Sequence, residues 1–271
     1  MKALAFLILI PFVILRAGEN NGRGTKAIAT ANAFVAVADN PWAVSYNAAG
    51  LIQIRSPEFS AFYIPQQFGL PELKTTSLAA AFPIFGGSTG IIVEQFGFEL
   101  YRTIDFELGY GIALNKRFSV GATFNLERES IKGYGASSNI TVDVGLLGKP
   151  FDNLAIGFAM NNLTAARAGR GRERLPQVVH FGVRYTPFAD FFLSSELEKD
   201  VDFPLVFKAG IEERFFDFLD MRFGASNNPD KICAGFAVHY GMFEFGYAGY
   251  SHTDLGWTHQ IELSIRWNDR E

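Results

Sequence analysis

The sequence predicts an all-β fold: a transmembrane antiparallel β-barrel of about 14 strands, with an N-terminal, partly helical plug in its lumen. Three observations predict it. A period of two runs through nearly all of the chain beyond residue 58. The connections between the alternating runs are tight and longer in turn. Beyond residue 18 no apolar stretch is long enough for a transmembrane helix, so a membrane-resident chain of this kind must close its sheet, because lipid offers no partner for an open edge.

The composition suits strands with two unlike faces. Aromatic residues make up 15% of the 271, with 28 Phe, and there are 27 Gly. Such a chain puts large side chains on one surface and very small ones on another, whereas in helices each Gly would cost about 1 kcal/mol. A net charge of −4 provides no basic stripe for nucleic acid. The single cysteine, Cys233, rules out an internal disulfide and any multi-cysteine metal site.

Residues 1–18 read as a signal peptide. Lys2 supplies the positive start, and Ala3 to Leu15 is an apolar run too short to span a bilayer. Cleavage falls after Ala17 or Gly18; the other reading is an uncleaved anchor. No cysteine follows the run, which excludes a lipoprotein anchor. Residues 19–57 lack the period of two. Lys26 to Val37 is rich in Ala and predicts a short helix. Asp39, Asn40, Pro41 and Trp42 predict a second helix start, a capping Asp or Asn followed by Pro, with an end before Gly50. These short, compact, apolar pieces suit a hatch inside the mouth of a barrel formed by residues 58–271.

Ile104 to Leu114 shows the strand pattern most clearly. Ile104, Phe106, Leu108, Tyr110, Ile112 and Leu114 form one face, and Asp105, Glu107, Gly109, Gly111 and Ala113 the other. Phe118 to Glu127, Ile140 to Leu146, Leu154 to Asn161 and Val179 to Thr186 repeat it, as do later segments up to 258–267. The predicted outer face is a large apolar surface that lipid tolerates and water does not. The predicted inner face mixes glycines with charges of both signs: Asp105, Glu107, Glu127, Asp143, Arg184, Glu196, Lys208, Glu212, Arg214, Asp220, Arg222, Glu244, Glu262 and Arg266. Pairing is the usual way to keep charge in a confined lumen, and small residues leave room for another piece of chain, so an occupied lumen is expected. The charges read either as structural ion pairs or as a polar path for a solute.

Tight connections sit near 85–87, 115–117, 150–153, 187–190, 216–217 and Gly241; longer ones sit near 65–74, 99–103, 129–138, 162–177, 200–204, 227–230 and 251–257. Outer-membrane barrels have short periplasmic turns and longer extracellular loops. The alternation therefore predicts the outer membrane, with both ends of the sheet on the periplasmic side. The longest loop carries Arg167, Arg170, Arg172 and Arg174. It is either a solvated loop or a contact for anionic lipopolysaccharide or an acidic partner, since Arg grips phosphate as a fork. In the last strand, His259, Ile261, Leu263, Ile265 and Trp267 make one face. That resembles the C-terminal assembly signal of bacterial barrels, with the tail Asn268 to Glu271 as a departure; the other reading is an edge strand of a soluble sheet.

The run Gly24 to Asp39 (GTKAIATANAFVAVAD) and the run Asn40 to Leu51 (NPWAVSYNAAGL) resemble the N-terminal region of FadL-type outer-membrane transporters, and still more that of the PorV/PorQ family. The motif positions are Asp39, Asn40, Pro41, Tyr46, Asn47 and Gly50; Ala48 stands where the pattern has Pro. Leu175–Pro176, Phe207 to Arg214 and Met221 to Gly224 also look like that family. The resemblance implies a fourteen-stranded barrel with an N-terminal hatch and two different jobs. FadL-type proteins pass hydrophobic compounds into the outer membrane, whereas PorV-type proteins serve type IX secretion through protein contacts. The implied partners are outer-membrane lipids with either hydrophobic or amphipathic small molecules or secretion-system proteins. The outer loops are short for a FadL-type transporter, and the basic loop 162–177 supplies no greasy groove for fatty-acid capture.

The sequence does not predict an enzyme. Ser251, His252, Thr253 and Asp254 have the residue types of a hydrolytic triad, but neighbours in one loop rarely face one another, and an outer turn is the simpler reading. His180 and His239 are expected in the lumen as structural residues. No ligand spacing suggests a metal. The Gly-x-Gly pairs lie inside alternating strands rather than in a phosphate loop, and no cofactor is expected.

Overall fold

The computed structural model describes residues 22–168, 173–253 and 255–267. Residues 1–18, Arg170, Arg172, Asp254 and the tail 268–271 lie outside the described residues. Fourteen antiparallel strands close into one barrel. They are β1 (Glu58–Ile64), β2 (Thr75–Ile84), β3 (Gly87–Gly97), β4 (Tyr101–Ala113), β5 (Phe118–Ile131), β6 (Gly135–Phe151), β7 (Leu154–Asn161), β10 (Val178–Phe188), β11 (Phe191–Asp200), β12 (Val206–Phe216), β13 (Leu219–Ser226), β14 (Lys231–Tyr240), β15 (Phe243–His252) and β16 (Gly256–Arg266). Two short strands, β8 (Arg167–Ala168) and β9 (Glu173–Arg174), form a separate ribbon inside the connection 162–177. The barrel closes between β1 and β16, from Glu58 opposite Arg266 to Tyr63 opposite Ile261. No helix among the described residues is long and apolar enough to cross a membrane.

The pleat sends alternate side chains to opposite faces. Ile104, Phe106, Leu108 and Ile112 are exposed on the outside, while Glu107, Gly109 and Gly111 are buried on the inside. The turn end of the barrel holds the tight connections and both ends of the sheet. There Phe85 and Gly86, with φ of 54° and 77°, join Ile84 to Gly87, the two-residue hairpin geometry that matches strand twist. At the opposite, loop end three connections are shorter than the sequence predicts. β3 and β4 run to Gly97 and from Tyr101, β5 and β6 to Ile131 and from Gly135, and β15 and β16 to His252 and from Gly256. The polar residues there end the apolar alternation without ending the backbone ladder, which needs only a hydrogen-bonding neighbour strand.

The N-terminal segment lies inside the barrel. A Cβ placed on the inward-facing Gly111, Gly121, Gly145, Gly157 or Gly224 would come closer than 3.0 Å to Ala48, Ala49, Asn47, Val35 or Ala31. Only the missing side chains let the two backbones approach so closely. Ile28, Phe34, Trp42, Val44 and Leu51 of the segment form one apolar cluster with Phe62, Ile64 and Ile92 of the wall.

The helix predicted over Lys26 to Val37 is five residues long: α1 spans Thr25–Ala29. Ala31 and Asn32 turn left-handed, with φ of 54° and 60°. The N–H groups of Phe34 and Val35 donate to Glu196 Oε2 of the wall, each at 2.9 Å. A wall carboxylate thus replaces the carbonyl that a continuing helix would supply. Asp39 caps no helix. Asn40 Oδ1 accepts from the Trp42 N–H at 3.1 Å, and α2 (Ala43–Tyr46) follows, then a 3₁₀ turn over Ala48–Gln53.

Candidate functional site: the lumen and its mouth

Charges on the wall grip the N-terminal segment at several points. Arg23 forms a two-pronged bond to Glu94 of β3, 2.9 Å on each side, and also reaches Glu107 and Asp105 of β4. Glu262 of β16 accepts from the Thr25 N–H at 2.6 Å, the Thr25 hydroxyl at 2.8 Å and the Trp42 indole N–H at 2.7 Å. Lys26 bridges Asp39 (2.9 Å) and Glu212 of β12 (3.2 Å), and Arg184 of β10 approaches Asp39 at 3.5 Å. Burial opposes the Asp39 charge, but Lys26 and Arg184 outweigh it and hold the carboxyl at about 2.

The remaining motif residues hold the segment to itself and, through Asn47, to β6 of the wall. The Tyr46 hydroxyl accepts from the Arg23 N–H and donates to Asn32 Oδ1. Asn47 donates to the Val35 and Leu146 carbonyls and accepts from the Ala49 N–H, so the turn is held despite Ala48 in place of Pro. A Cβ on Gly50 would collide with Ala38. Pro41 is buried in the approach to α2.

Of the predicted lumen charges, Glu212, Arg222 and Asp220 form a buried chain with contacts of 2.8 and 3.0 Å, extended by Arg214 at 2.8 Å and His239 at 2.9 Å. Arg266 pairs with Glu244 at 2.9 Å near the turn-end rim. Each of these acids and bases has a partner within 3.0 Å. The sequence reading missed Arg23, Glu94 and the part played by Lys26. Arg23 lies 71 residues from Glu94, and only the closed register brings such partners together.

Above the segment, at the loop end, the lumen opens into a cavity of about 600 Å³. Ile28, Ala31 and Asn32 form its floor; Val178, Phe203, Pro204, Val206, Cys233 and Tyr250 contribute apolar wall, and Glu127, His180, Glu198, Asp200 and Lys208 polar wall. A side chamber of about 250 Å³, lined by Arg23, Asp105, Glu107, Asn125, Glu127, Asn139 and Asp143 among others, adjoins it through the shared Glu127, Asn161 and Pro176. The loop after β1 folds toward this mouth. Phe68 packs edge-on against Tyr250 and His252, with ring centroids 6.2 and 5.6 Å apart, and its N–H donates to Thr258.

The sequence spacing suggests no metal ligands, yet the β10–β11 register sets His180 opposite Glu198 and Gly182 opposite Glu196. His180, Glu196 and Glu198 therefore offer ligand atoms within 4.8 Å of one another. A short hairpin converts a separation of 16 residues into contact, and spacing rules tuned to helices and knuckles do not see it. The Lys208 ammonium already holds both carboxylates. In the basic loop, Arg167 and Arg174 are exposed and opposite each other in the β8–β9 ribbon. His252 accepts from the Leu255 N–H within a turn.

No known protein family matches the sequence, and no curated protein does either. Solved structures do match. The toluene transporter TbuX of Ralstonia pickettii superposes with a TM-score of 0.70 at 12% identity, covering 93% of this chain and 100% of its own. The toluene transporter TodX of P. putida gives 0.70 at 11% identity, covering 92% and 99%. A Pseudomonas aeruginosa FadL homologue gives 0.64 at 12%, covering 90% and 98%. The chain shares their fold. The likeness is one of fold: the barrel that surrounds the N-terminal segment superposes over 90% or more of this chain on each of the three.

Proposed function

We propose that the chain is an outer-membrane barrel that binds small hydrophobic or amphipathic molecules in its mouth and passes them through a plugged lumen. Residues 1–18 are its signal peptide, and residues 19–57 its plug. One observation carries the reading: a cavity of about 600 Å³ opens at the loop end, ringed by the barrel and floored by the N-terminal segment. Its size is that of a small-molecule site. The apolar outer face supports lipid as the surroundings, and short turns at one end support a periplasmic orientation for that end. The likeness in fold to toluene transporters supports the solute class.

The test is direct. Liposomes holding the purified protein should take up toluene or a twelve-carbon amphiphile faster than protein-free liposomes, and the solute should bind the detergent-solubilised barrel. A barrel that neither binds nor passes any of them overturns the reading. The motif at residues 24–51 favours a second reading, a PorV/PorQ-like accessory of type IX secretion or surface assembly. Recovery of the barrel from its native membrane in a defined complex with secretion components or cargo would favour it over the conduit.

A further inference from the structure

The outer face of the barrel changes character at one height near the loop end. On β4 the outward residues run Leu108, Phe106, Ile104 and then Arg102; on β5 they run Phe124, Leu126 and then Arg128 and Ser130. Register sets Phe106, Leu126 and Ile140 in one row, Ile104, Arg128 and Ser138 in the next, and Arg102, Ser130 and Ala136 in the one after. Apolar surface of the kind lipid chains cover thus ends where two guanidiniums begin. Arg102 and Arg128 are diagonal neighbours on one face, with Cα atoms about 7–8 Å apart. Lys74 lies beside them: its carbonyl accepts from the Gly97 N–H, and Gly97 is opposite Arg102.

All three cations are exposed, and among the described residues their side chains form no ion pair and no hydrogen bond. The acids nearest in sequence do not neutralise them. Glu99 holds Lys132, and Glu72, in the turn before β2, forms no ion pair with Lys74. The patch occupies one sector of the barrel. Across the lumen, Ala225, Ile232, Ser251 and Trp257 make an uncharged outward row near the loop end of β13 to β16. The outward Lys199 of β11 is held by the Phe203 carbonyl. Like charges on neighbouring positions of a strand pair repel, so the patch favours an anion that engages both arginines. Their planar forks match phosphate oxygens. A carrier of phosphate seated at this height has hydrocarbon surface directly beneath it, which a free phosphate would leave unused.

We propose that Arg102, Arg128 and Lys74 bind the phosphate groups of lipopolysaccharide in the outer leaflet, whose acyl chains lie against Ile104, Phe106, Leu126 and Ile140. The proposal rests on the outer-membrane reading above, with the loop end outward. Three cations spread over two rows match a headgroup with more than one phosphate better than the single charge of a phosphodiester. The site belongs to the wall and to the turn before β2, apart from the arginines of the loop 162–177.

Barrel refolded into phosphatidylcholine vesicles is first tested for resistance to carbonate extraction. The detergent-solubilised barrel is then titrated by microscale thermophoresis with lipid A, with lipid A stripped of its phosphates, and with phosphatidylglycerol. Lipid A should bind about tenfold or more tightly than either of the others, a difference readily resolved. Arg102→Gln combined with Arg128→Gln should remove most of that preference, and Lys74→Gln should reduce it. Arg55→Gln combined with Lys116→Gln removes two exposed charges at the turn end and should leave it unchanged. Equal binding of the stripped lipid or of phosphatidylglycerol would overturn the proposal. So would a preference that survives loss of Arg102 and Arg128, or one lost equally in the turn-end control. Each of these results leaves the membrane reading intact, whereas release of the barrel by carbonate would overturn that reading itself.

Discussion

Glu196 and Glu262 show how single wall residues hold the segment. Each sits on the inner face and accepts hydrogen bonds from the segment, including main-chain N–H groups, so each offsets the cost of burying backbone away from water. Glu196 also anchors Lys208 and His180. Glu196→Ala would leave a buried ammonium short of its partner and should cost about 3–5 kcal/mol, read as a lower midpoint in thermal unfolding in detergent. Gly157→Val probes the opposite effect. Its side chain would collide with the Val35 and Ala36 backbone, and overpacking costs about 1–3 kcal/mol. The segment should loosen and become sensitive to protease while the barrel persists; an unchanged digestion pattern would contradict the close packing described here. Asp39 sets a pH limit on the Lys26 and Arg184 contacts. Its carboxyl is held at about 2, below the ordinary 3.8, so its contribution is complete above the ordinary value and disappears as pH falls through the lowered one.

At the scale of the element, alternation decides what each strand tolerates. Phe124 faces outward in the middle of β5, and Ser130 lies on the same outer face near the loop end. Phe124→Arg should cost about 2–4 kcal/mol if lipid surrounds that position, and Ser130→Arg close to nothing. Refolding into vesicles followed by urea titration measures both, and equal effects would argue against an apolar belt at that height. The strands were legible from the sequence because the period of two survives in Ile104 to Leu114 whatever the partners are. The lengths of the loop-end connections were not legible. Residues 129–138 look like a loop from their side chains, yet Ile131 pairs with Gly135 and the ladder continues.

For the whole molecule, the closed wall and the glycine-backed segment leave, among the described residues, a cavity and its side chamber at the loop end. Removing residues 22–54 should convert the barrel into a conducting pore in planar bilayers, while the parent stays close to silent; equal conductance would contradict a sealed lumen. The inward charges belong to the same scale. Asp105, Glu107, Lys208 and Arg222 were legible as lumen residues because of their parity along strands. Their partners were not, because Arg23 meets three carboxylates on two strands that sequence distance does not connect.

The sequence by itself determined which face of each strand meets the outside and which meets the lumen, since parity along a strand is local and independent of register. It also marked residues 19–57 as a different kind of chain. The tertiary structure alone decided how that segment folds and what faces it. Beyond the end of α1 the N–H groups of Phe34 and Val35 turn to Glu196 of the wall instead of to a helix's own carbonyls, and the pairing of β3 to β6 around the enclosed segment brings the acids, the asparagines and Arg23 together.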